Sequence, residues 1–360
     1  MNKKQFFFFL AIAFLFIFVL LTLTYQESQS KLQYAGSDTG QQENTLILGH
    51  AEASSPPAVS FCPEDDCKTL VASLIQDSNT SIDCAIYDIT SKDIADALLS
   101  EHRQGTKIRI VTDNARAATK TSKVGDLKSA GIDVLISQSK DSYMHNKFCV
   151  FDSKVSLVGS ANFTDNSLLE SYNNILVFED ERLAKVLEEK INSFYLGKFS
   201  DSSTVLGKDI SSNFSVYFCP SNNCKNQIVS QISNAGTSIF CMVYSFTLDE
   251  FGDALLEAKG RGVDVKLVLE SQQVTEYSEY QRLMAEGVEV ILEGTPYLMH
   301  NKFCVFDNYT LVTGSMNFSY NGINNNDETL LVISDSNLAR AFLSYFQGKL
   351  AEWNSKPEIK

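Results

Sequence analysis

The feature that most constrains this chain is a segment of nine residues that occurs twice. Residues 144–152 read MHNKFCVFD, and residues 299–307 read the same nine letters. A Gly-Ser-x-Asn-Phe segment follows each copy, at 159–163 in the first half and at 314–318 in the second. Because one chain carries the same long motif twice, and the same short segment follows each copy, we expect two similar units that place the same side chains in the same way.

Alternation of polar and apolar residues within each copy predicts a β-strand. Successive side chains of a strand point to opposite faces, so His145 and Lys147 project one way while Asn146 and Phe148 project the other. In the simplest interpretation, the polar pair lies by chance on a solvated face. The recurrence of His and Lys in the second copy, again with Ser and Asn nearby, instead indicates a site. Imidazole, ammonium, hydroxyl and amide groups together suit a tetrahedral anion such as phosphate.

Around the motif, each half alternates strands with helices. In the first half we predict strands over Ser81–Ile89 and Lys107–Asp113, a helix over Ser91–Arg103 that ends at Gly105, and a closing helix over Glu181–Tyr195. The second half repeats this order. Strands that alternate with helices and are followed by a run of strands predict an α/β domain with a central mixed sheet.

The paired His-x-Lys-x4-Asp and Gly-Ser-x-Asn segments resemble the phospholipase D superfamily of phosphodiesterases, from about Phe61 to about Phe346. The resemblance implies two similar α/β domains, each a mixed β-sheet flanked by helices, packed with pseudo-two-fold symmetry so that both His strands reach one cleft. It also implies that one histidine attacks phosphorus to give a phosphohistidine while the other protonates the departing alcohol. Neither a metal nor a cofactor is implied. No obligate dimer is expected, because one chain supplies both motifs.

The repeat and the resemblance together give the candidate site residues. The catalytic candidates are His145, His300, Lys147, Lys302 and Glu328. The candidates for binding the substrate phosphate are Ser160, Asn162, Ser315 and Asn317. The candidates for supporting roles are Asp152, Asp307 and Asn173. We expect the two aspartates to hold their hairpins by pairing with turn amides.

One difference between the halves distinguishes the two histidines. Similar enzymes place a carboxylate on the strand after the Gly-Ser-x-Asn turn, where it orients a histidine. Glu328 occupies this position in the second half and Asn173 in the first, 28 residues after the histidine in both cases (328 − 300; 173 − 145). If Glu328 reaches across the domain interface, it fixes the tautomer of His145. We therefore predict His145 as the nucleophile and His300 as the general acid. The alternative carboxylates are Glu170 and Asp327.

The N-terminal region differs in composition from the rest of the chain. An apolar run from Phe6 to Leu23, with Thr22 as its one polar residue, follows two lysines, and as a helix it would rise roughly 27 Å, close to the thickness of a bilayer's hydrocarbon core. We expect four segments: a signal anchor or transmembrane helix at 1–25, a flexible linker at 26–58, and domains at 59–200 and 213–352. The lysines then place the catalytic body outside the cytoplasm at the cell membrane, or the protein is secreted if the segment is cleaved.

The eight cysteines fit an oxidising compartment. Two pairs stand five residues apart before an amphipathic helix, namely Cys62 with Cys67 and Cys219 with Cys224. We expect a local disulfide within each pair. The alternative is one zinc site that uses all four thiolates. The remaining cysteines lie in apolar strands and are expected to be buried thiols: Cys84, Cys149, Cys241 and Cys304.

The charge balance bears on the substrate. The chain has 30 basic and 44 acidic residues, and its formal net charge is −14. A protein this acidic repels a long polyanion unless its charges are segregated. Our leading hypothesis is therefore hydrolysis of phospholipid head-group phosphodiesters. The alternative is a metal-independent nuclease on single-stranded DNA or RNA; a phosphatidyl transferase and an inactive surface-binding protein are further hypotheses.

Overall fold

Two mixed β-sheets, one from each half of the chain, form the framework of the computed structural model. The structure describes residues 56–139, 141–201, 208–221, 223–293 and 295–354. The strands of the first sheet are β1 (Ala58–Cys62), β2 (Ser81–Ile86), β3 (Lys107–Thr112), β4 (Asp133–Ile136), β5 (Lys147–Phe151), β6 (Val155–Gly159) and β7 (Asn173–Glu179). Those of the second are β8 (Lys208–Ser211), β9 (Phe214–Cys219), β10 (Ser238–Val243), β11 (Asp264–Leu269), β12 (Glu289–Leu292), β13 (Lys302–Phe306), β14 (Thr310–Gly314) and β15 (Glu328–Ser334).

Helices connect and cover these strands. In the first half they are α1 (Cys67–Gln76), α2 (Lys92–Gln104), α3 (Asn114–Ala117), α4 (Val124–Ser129), α5 (Asp165–Leu169) and α6 (Glu181–Tyr195). In the second half they are α7 (Cys224–Asn234), α8 (Asp249–Gly260), a 3-10 turn (Ser271–Gln273), α9 (Tyr280–Ala285), α10 (Tyr320–Asn324) and α11 (Ser336–Asn354). Helix α2 ends where Gly105 takes a φ of 103°, the left-handed conformation that glycine favours. Helix α6 occupies the predicted range and is capped by Asp180, whose carboxylate accepts from two backbone amides of the first helical turn.

The two sheets have the same strand order, as the repeat predicts. The first runs β1-β7-β6-β5-β2-β3-β4, and the second runs β8-β9-β15-β14-β13-β10-β11-β12. In each sheet one group of three strands is parallel, β2 to β4 and β10 to β12, while the other pairings are antiparallel. The mixed α/β fold of the prediction is confirmed. Strand β8 is an additional edge strand, and it lies ahead of the predicted start of the second domain at 213.

Three apolar clusters fill the molecule, and one of them joins the halves. Alternation in β5 sends Phe148 into the cluster shared by both halves and Cys149 into the cluster confined to the first half. The second half has a separate cluster of its own. The shared cluster includes Leu187 of α6 and Phe342 of α11, so the two closing helices pack against residues of both halves. The described residues accordingly cluster into one compact unit.

The two local disulfides are present as predicted. Cys62 bonds to Cys67, and Cys219 bonds to Cys224, each with the Cα atoms 5.8 Å apart. The zinc alternative is wrong, because all four sulfur atoms are used in disulfides that lie in different halves.

The prediction of four buried thiols is wrong, because these cysteines form two further disulfides. Cys84 of β2 bonds to Cys149 of β5, and Cys241 of β10 bonds to Cys304 of β13. In each case the two residues are direct partners in the register of adjacent antiparallel strands, with Cα atoms 4.1 Å apart. A disulfide therefore ties each strand that follows a motif histidine, β5 or β13, to the neighbouring strand of its sheet, β2 or β10.

The predicted membrane anchor at 1–25 and most of the predicted linker at 26–58 lie outside the residues that the structure describes. Among the helices that are described, none has both the length and the apolar character required to cross a bilayer. The domain boundaries stay predictions.

Candidate active site

The histidine of each repeated motif lies where several strands of its sheet end, and we call this row of strand ends the edge of the sheet. Strand β5 begins at Lys147, β6 ends at Gly159 and β7 begins at Asn173. Because β6 is antiparallel to both β5 and β7, these three strand ends meet at the same edge of the first sheet. The second sheet repeats this arrangement with β13, β14 and β15. Side chains that are well separated in sequence are thereby brought together.

Glycine allows the strands to close up at this edge. A Cβ atom on Gly159 would lie 2.2 Å from the carbonyl oxygen of Asn174, and one on Gly314 would lie 2.1 Å from that of Thr329. Neither distance is possible for a real side chain. The glycine of each Gly-Ser-x-Asn segment is thus required by backbone packing beside the site.

The two halves exchange main-chain hydrogen bonds next to both histidines. The amide of His145 donates to Asp327 O, and the amide of His300 donates to Tyr172 O, each at 2.9 Å. In the opposite direction, Asp327 N donates to Tyr143 O at 2.9 Å. Each histidine is therefore fixed by the segment that enters the last strand of the opposite half.

The ring of His145 contacts a carboxylate of the opposite half. Its Nδ1 lies 2.8 Å from Oε1 of Glu328, while Oε2 accepts a 2.5 Å hydrogen bond from the Ser315 hydroxyl. In its ionised form the Glu328 carboxylate only accepts, and Nδ1 then carries the proton while the lone pair of Nε2 is left for chemistry. The alternative carboxylates lie elsewhere: Glu170 is exposed and bonds to Asn166, and Asp327 bonds to Lys190.

His300 has a matched position but a neutral partner. Its Nδ1 lies 2.9 Å from Oδ1 of Asn173, and the same oxygen accepts from the Ser160 hydroxyl at 2.8 Å. The amide nitrogen of Asn173 donates to Ser167 O at 3.0 Å, which fixes the orientation of the amide group. The two histidines therefore differ in whether the acceptor beside Nδ1 can carry charge.

Two buried lysines flank the histidines. The ammonium group of Lys147 donates to His145 O at 2.8 Å, and that of Lys302 donates to His300 O at 2.7 Å. Burial lowers the pKa of Lys147 to about 7 and lowers the pKa of Lys302 well below its usual range. Burial, reinforced by both ammonium groups, also holds the pKa of each histidine well below 6.5. Burial raises the pKa of Glu328 to about 8 although both ammonium groups favour its ionised form, so the acid and the carboxylate both occur near neutral pH. A bound anion would stabilise the charged lysines in this site.

The serine hydroxyls support the side chains that hold the histidines. Ser160 donates to Asn173 and Ser315 donates to Glu328, so neither hydroxyl proton is available to a substrate in this structure. Each hydroxyl oxygen also accepts from a backbone amide at the start of the adjacent strand, at 3.0 Å. The acceptors on β7 and β15 lie within direct hydrogen-bonding distance of the serines. Phosphate binding by the two serines stays a prediction.

The two asparagines of the Gly-Ser-x-Asn segments keep unsatisfied polar atoms. Oδ1 of Asn162 and Oδ1 of Asn317 are buried and accept no hydrogen bond from the described residues. A buried amide oxygen without a donor is uncommon, so each site can accept one more hydrogen bond. Phosphate binding by the amide nitrogens of these two residues stays a prediction.

Two tyrosines beside the histidines were missed by the sequence analysis. The ring of Tyr87 lies 4.8 Å from that of His145, and the ring of Tyr244 lies 4.7 Å from that of His300, both edge to face. The ammonium groups of the two flanking lysines lie 5.1 and 4.8 Å from the same tyrosine rings. The two tyrosines follow β2 and β10 at equivalent positions of the repeat, and that equivalence was the available signal.

Asp152 and Asp307 serve the framework and have no contact with the histidines. The carboxylate of Asp152 accepts from the backbone amides of residues 79–81, and that of Asp307 accepts from those of residues 236–238. Burial opposes ionisation of Asp152, but these donors outweigh it and lower its pKa to about 2. The expected pairing with turn amides is present, but the turns are those before β2 and β10 and not the aspartates' own hairpins. Within the described ranges, no group of three or more metal-ligating side chains occurs.

Comparisons with known proteins agree with the repeat. A family model described as "Cardiolipin synthase, PLD-like domain" matches residues 71–195 and again residues 228–350. The mitochondrial cardiolipin hydrolase of Xenopus laevis is 35% identical over 115 residues, which are 32% of this chain and 54% of that protein. The phospholipase D of Rickettsia bellii (strain RML369-C) is 31% identical over 141 residues, 39% of this chain and 70% of that protein. The chain thus spans about half of the length of the first of these relatives.

A solved structure has a similar fold over most of the chain. The match to the phosphatidylserine synthase of Haemophilus influenzae Rd KW20 covers 82% of this chain and 86% of the synthase chain. Its TM-score is 0.64, and the sequence identity is 13%. At this identity the similarity concerns the fold alone. It extends over both halves, as do the two matches to the family model.

Proposed function

The chain belongs to the phospholipase D superfamily, and on this premise we propose that it is a phosphodiesterase that hydrolyses phospholipid head-group phosphodiesters through a phosphohistidine intermediate. The observation that carries the proposal is the pair of histidines, each held by the opposite half and each flanked by a buried lysine. Hydrolysis of a phosphodiester requires a nucleophile, a proton donor for the leaving oxygen and fixed positive charge.

His145 is the nucleophile in this proposal. The ionised Glu328 accepts a hydrogen bond from Nδ1, so the Nε2 lone pair attacks phosphorus, and the charge that develops on the ring is stabilised by the carboxylate. The attack forms a P–N bond and breaks the bond from phosphorus to the alcohol oxygen. In the second step the oxygen of a water molecule attacks phosphorus, the P–N bond breaks, and the electron pair returns to Nε2.

His300 is the general acid of the first step and the general base of the second. It gives a proton to the departing alcohol and later takes one from the attacking water, so the protons balance over a cycle. In the empty site, burial and the two lysines keep the pKa of His300 low. A bound phosphodiester carries negative charge, which raises that pKa and favours the protonated ring that the first step requires. A neutral Asn173 suits this role, because an ionised acceptor would hold the proton more strongly.

Lys147 and Lys302 neutralise the charge of the transition state. Each ammonium group uses one hydrogen bond on the carbonyl oxygen of its histidine and has two further N–H groups. We assign these groups to the non-bridging phosphate oxygens, together with the side-chain amides of Asn162 and Asn317.

A phospholipid is the substrate class that we favour. The net charge of −14 opposes association with long polyanions. The relatives described above are named for phospholipase D and cardiolipin hydrolase. Four disulfides suit an oxidising compartment, which supports a catalytic body outside the cytoplasm, next to the membrane through the N-terminal apolar segment.

The experiment is a substrate comparison with the full-length chain in detergent. The protein is incubated with mixed micelles of detergent and labelled phospholipid and, separately, with a single-stranded oligonucleotide, in both cases with EDTA. We expect release of the head group from the lipid and no cleavage of the oligonucleotide. His145→Ala and His300→Ala should each abolish turnover.

The outcomes separate the hypotheses. Cleavage of the oligonucleotide without lipid turnover would select the nuclease. Turnover that requires a divalent cation would contradict the mechanism. Accumulation of product joined to an added alcohol in place of water would indicate a transferase, and turnover of neither substrate would favour an inactive surface-binding protein.

A further inference from the structure

A buried ion pair joins the closing helix of the first half to the segment that holds His145. The ammonium group of Lys190, on α6, lies 2.9 Å from Oδ1 of Asp327, and the two side chains are 3% and 1% exposed. The same ammonium group lies 4.2 Å from the centroid of the Phe194 ring. Lys190 therefore has its charge in an apolar environment, with Asp327 as its anionic partner.

Asp327 links this ion pair to the main chain of His145. Its Oδ2 accepts from Ser200 N at 2.9 Å, so both carboxylate oxygens are bound by residues of the first half. Its backbone oxygen accepts from His145 N, and its own amide donates to Tyr143 O, both at 2.9 Å. The next residue is Glu328, whose side chain contacts the His145 ring. One short segment of the second half thus sets both the main chain and the ring of His145.

The pseudo-symmetric position beside His300 has no such ion pair. There the backbone oxygen of Tyr172 accepts from His300 N, and the residue that follows is Asn173. Lys349, on α11, places its ammonium group 4.8 Å from the centroid of the Tyr172 ring and pairs with Glu64, away from the site. Among the described residues, the ion pair therefore occurs on the side of Glu328 and has no counterpart on the side of Asn173.

Two adjacent buried carboxylates explain why a cation is required on that side. Asp327 and Glu328 are both almost fully inaccessible to solvent. Burial raises the pKa of Asp327, the negative charge of Glu328 raises it further, and Lys190 opposes both effects. Without Lys190, Asp327 would have to take up a proton or move toward water. Either change would alter the segment that aligns His145.

We propose that Lys190 and Asp327 form a positioning pair for His145: the ion pair anchors residues 326–328 of the second half to α6, and so holds the His145 ring in line for attack on phosphorus. The inference rests on the proposed function, and it adds two residues that act without touching the substrate. It also predicts a one-sided effect, because His300 is aligned through Tyr172.

The test compares Lys190→Met with Lys185→Met, an exposed lysine of the same helix. Two substrates are used: the labelled phospholipid, and bis(p-nitrophenyl) phosphate, whose leaving group departs without help from a general acid. We expect Lys190→Met to slow phosphoenzyme formation at least tenfold with both substrates. His300→Ala should be much less impaired with the activated diester, and Lys190→Arg should recover most of the rate. The inhibition constant of inorganic phosphate should stay within twofold of the wild-type value, because Lys147 and Lys302 are untouched.

A second variant covers the case in which Lys190→Met does not fold. The double change Lys190→Met with Asp327→Asn removes both buried charges together, and this should preserve the fold while it breaks the anchor. We expect this variant to form phosphoenzyme about tenfold more slowly than the wild type. A rate for the double variant, or for a folded Lys190→Met, within twofold of that of Lys185→Met would overturn the proposal. A defect confined to the poor leaving group would also overturn it, because the pair would then act on the general acid.

A measurement without turnover separates this inference from the proposed function. The four histidines of the chain can be labelled with nitrogen-15 and assigned with His145→Ala and His300→Ala. The ring signals of His145 should shift in the Lys190→Met or the double variant, while those of His300 stay in place. If the wild type hydrolyses neither diester but this shift occurs, the proposed function fails and the positioning pair stands. Unchanged His145 signals would overturn the positioning pair.

Discussion

Glu328→Gln is the perturbation that tests the assignment of the two histidines most directly. The substitution keeps the shape of the side chain and removes the carboxylate, which in its ionised form presents a charge to His145 Nδ1 at 2.8 Å. A hydrogen bond to a charged acceptor contributes about 1 to 2 kcal/mol more than one to a neutral acceptor. If the Gln carbonyl oxygen takes the place of Oε1, phosphoenzyme formation should therefore slow by about 5- to 30-fold.

The hydrogen bonds around position 328 can make the loss larger. Ser315 now donates to Oε2 and accepts from the amide of Thr329. A Gln amide nitrogen facing Ser315 would leave the serine proton without its acceptor. The amide can relieve this by turning its nitrogen toward His145, which would place the ring proton on Nε2 and remove the nucleophile. The loss of rate would then exceed 30-fold.

The pH dependence of thermal stability gives a second expected result, whose direction follows from the pKa of Glu328. Burial raises the pKa of Glu328 to about 8, above its value of about 4.5 in an unfolded chain. The folded protein therefore binds a proton more strongly, and stability contributed by this group is lost as pH rises from about 4.5 toward 8. Glu328→Gln does not titrate. It should thus unfold at a higher temperature than the wild type at pH 8, with a smaller difference at pH 5.

The assay is a rapid-quench measurement of labelled phosphoenzyme, stopped in alkaline denaturant because phosphohistidine is labile in acid. Glu179→Gln, an exposed carboxylate at the end of β7, is the matched control. A Glu328→Gln variant that forms phosphoenzyme at the rate of this control would refute the assignment of His145. So would a defect limited to the release of the phosphoryl group.

Three further outcomes follow from the structure. Burial lowers the pKa of Lys147 to about 7 and lowers that of Lys302 as well, so binding of inorganic phosphate should take up protons and should weaken as pH rises above 7. Calorimetry in buffers of different ionisation enthalpy measures this proton uptake. Replacing Cys84 and Cys149 together by Ala should lower the free energy of unfolding by about 4 kcal/mol, because their disulfide closes a loop of 65 residues, and a loss below 1 kcal/mol in denaturant titration would contradict this. Asn173→Asp should destabilise the fold by about 2 kcal/mol or more in thermal unfolding, since a carboxylate would face backbone carbonyl oxygens in a buried site; a stable, faster enzyme would be the opposite result.

The repeat made much of the fold predictable. Two copies of a strand motif required two sheets, and alternation of apolar residues located strands such as Lys107–Thr112 to within one residue. Helix α6 begins and ends where its apolar periodicity predicted. These features depend on local sequence, so a single chain carries enough information to find them.

The errors concern contacts between elements that are distant in the sequence. Cys84 and Cys149 were interpreted as separate thiols because their pairing depends on β2 lying next to β5, which is a property of strand order. The hydrogen bonds from the serine hydroxyls to Asn173 and Glu328 were missed for a similar reason. Whether Ser315 meets a ligand or Glu328 depends on a distance across two strands that spacing along the chain does not give. Lys190 gave no signal at all, because a lone lysine in an amphipathic helix is normally on its solvated face.

The exchange of main-chain hydrogen bonds at His145 and His300 has an evolutionary consequence. A free half with this arrangement would have to borrow its acceptor from an identical copy, and every mutation would then appear in both sites at once. A chain that contains both halves can keep Glu328 beside one histidine and carry Asn173 beside the other. Fusion into one gene thus permits a division of labour between two histidines that a symmetric homodimer has to leave equal.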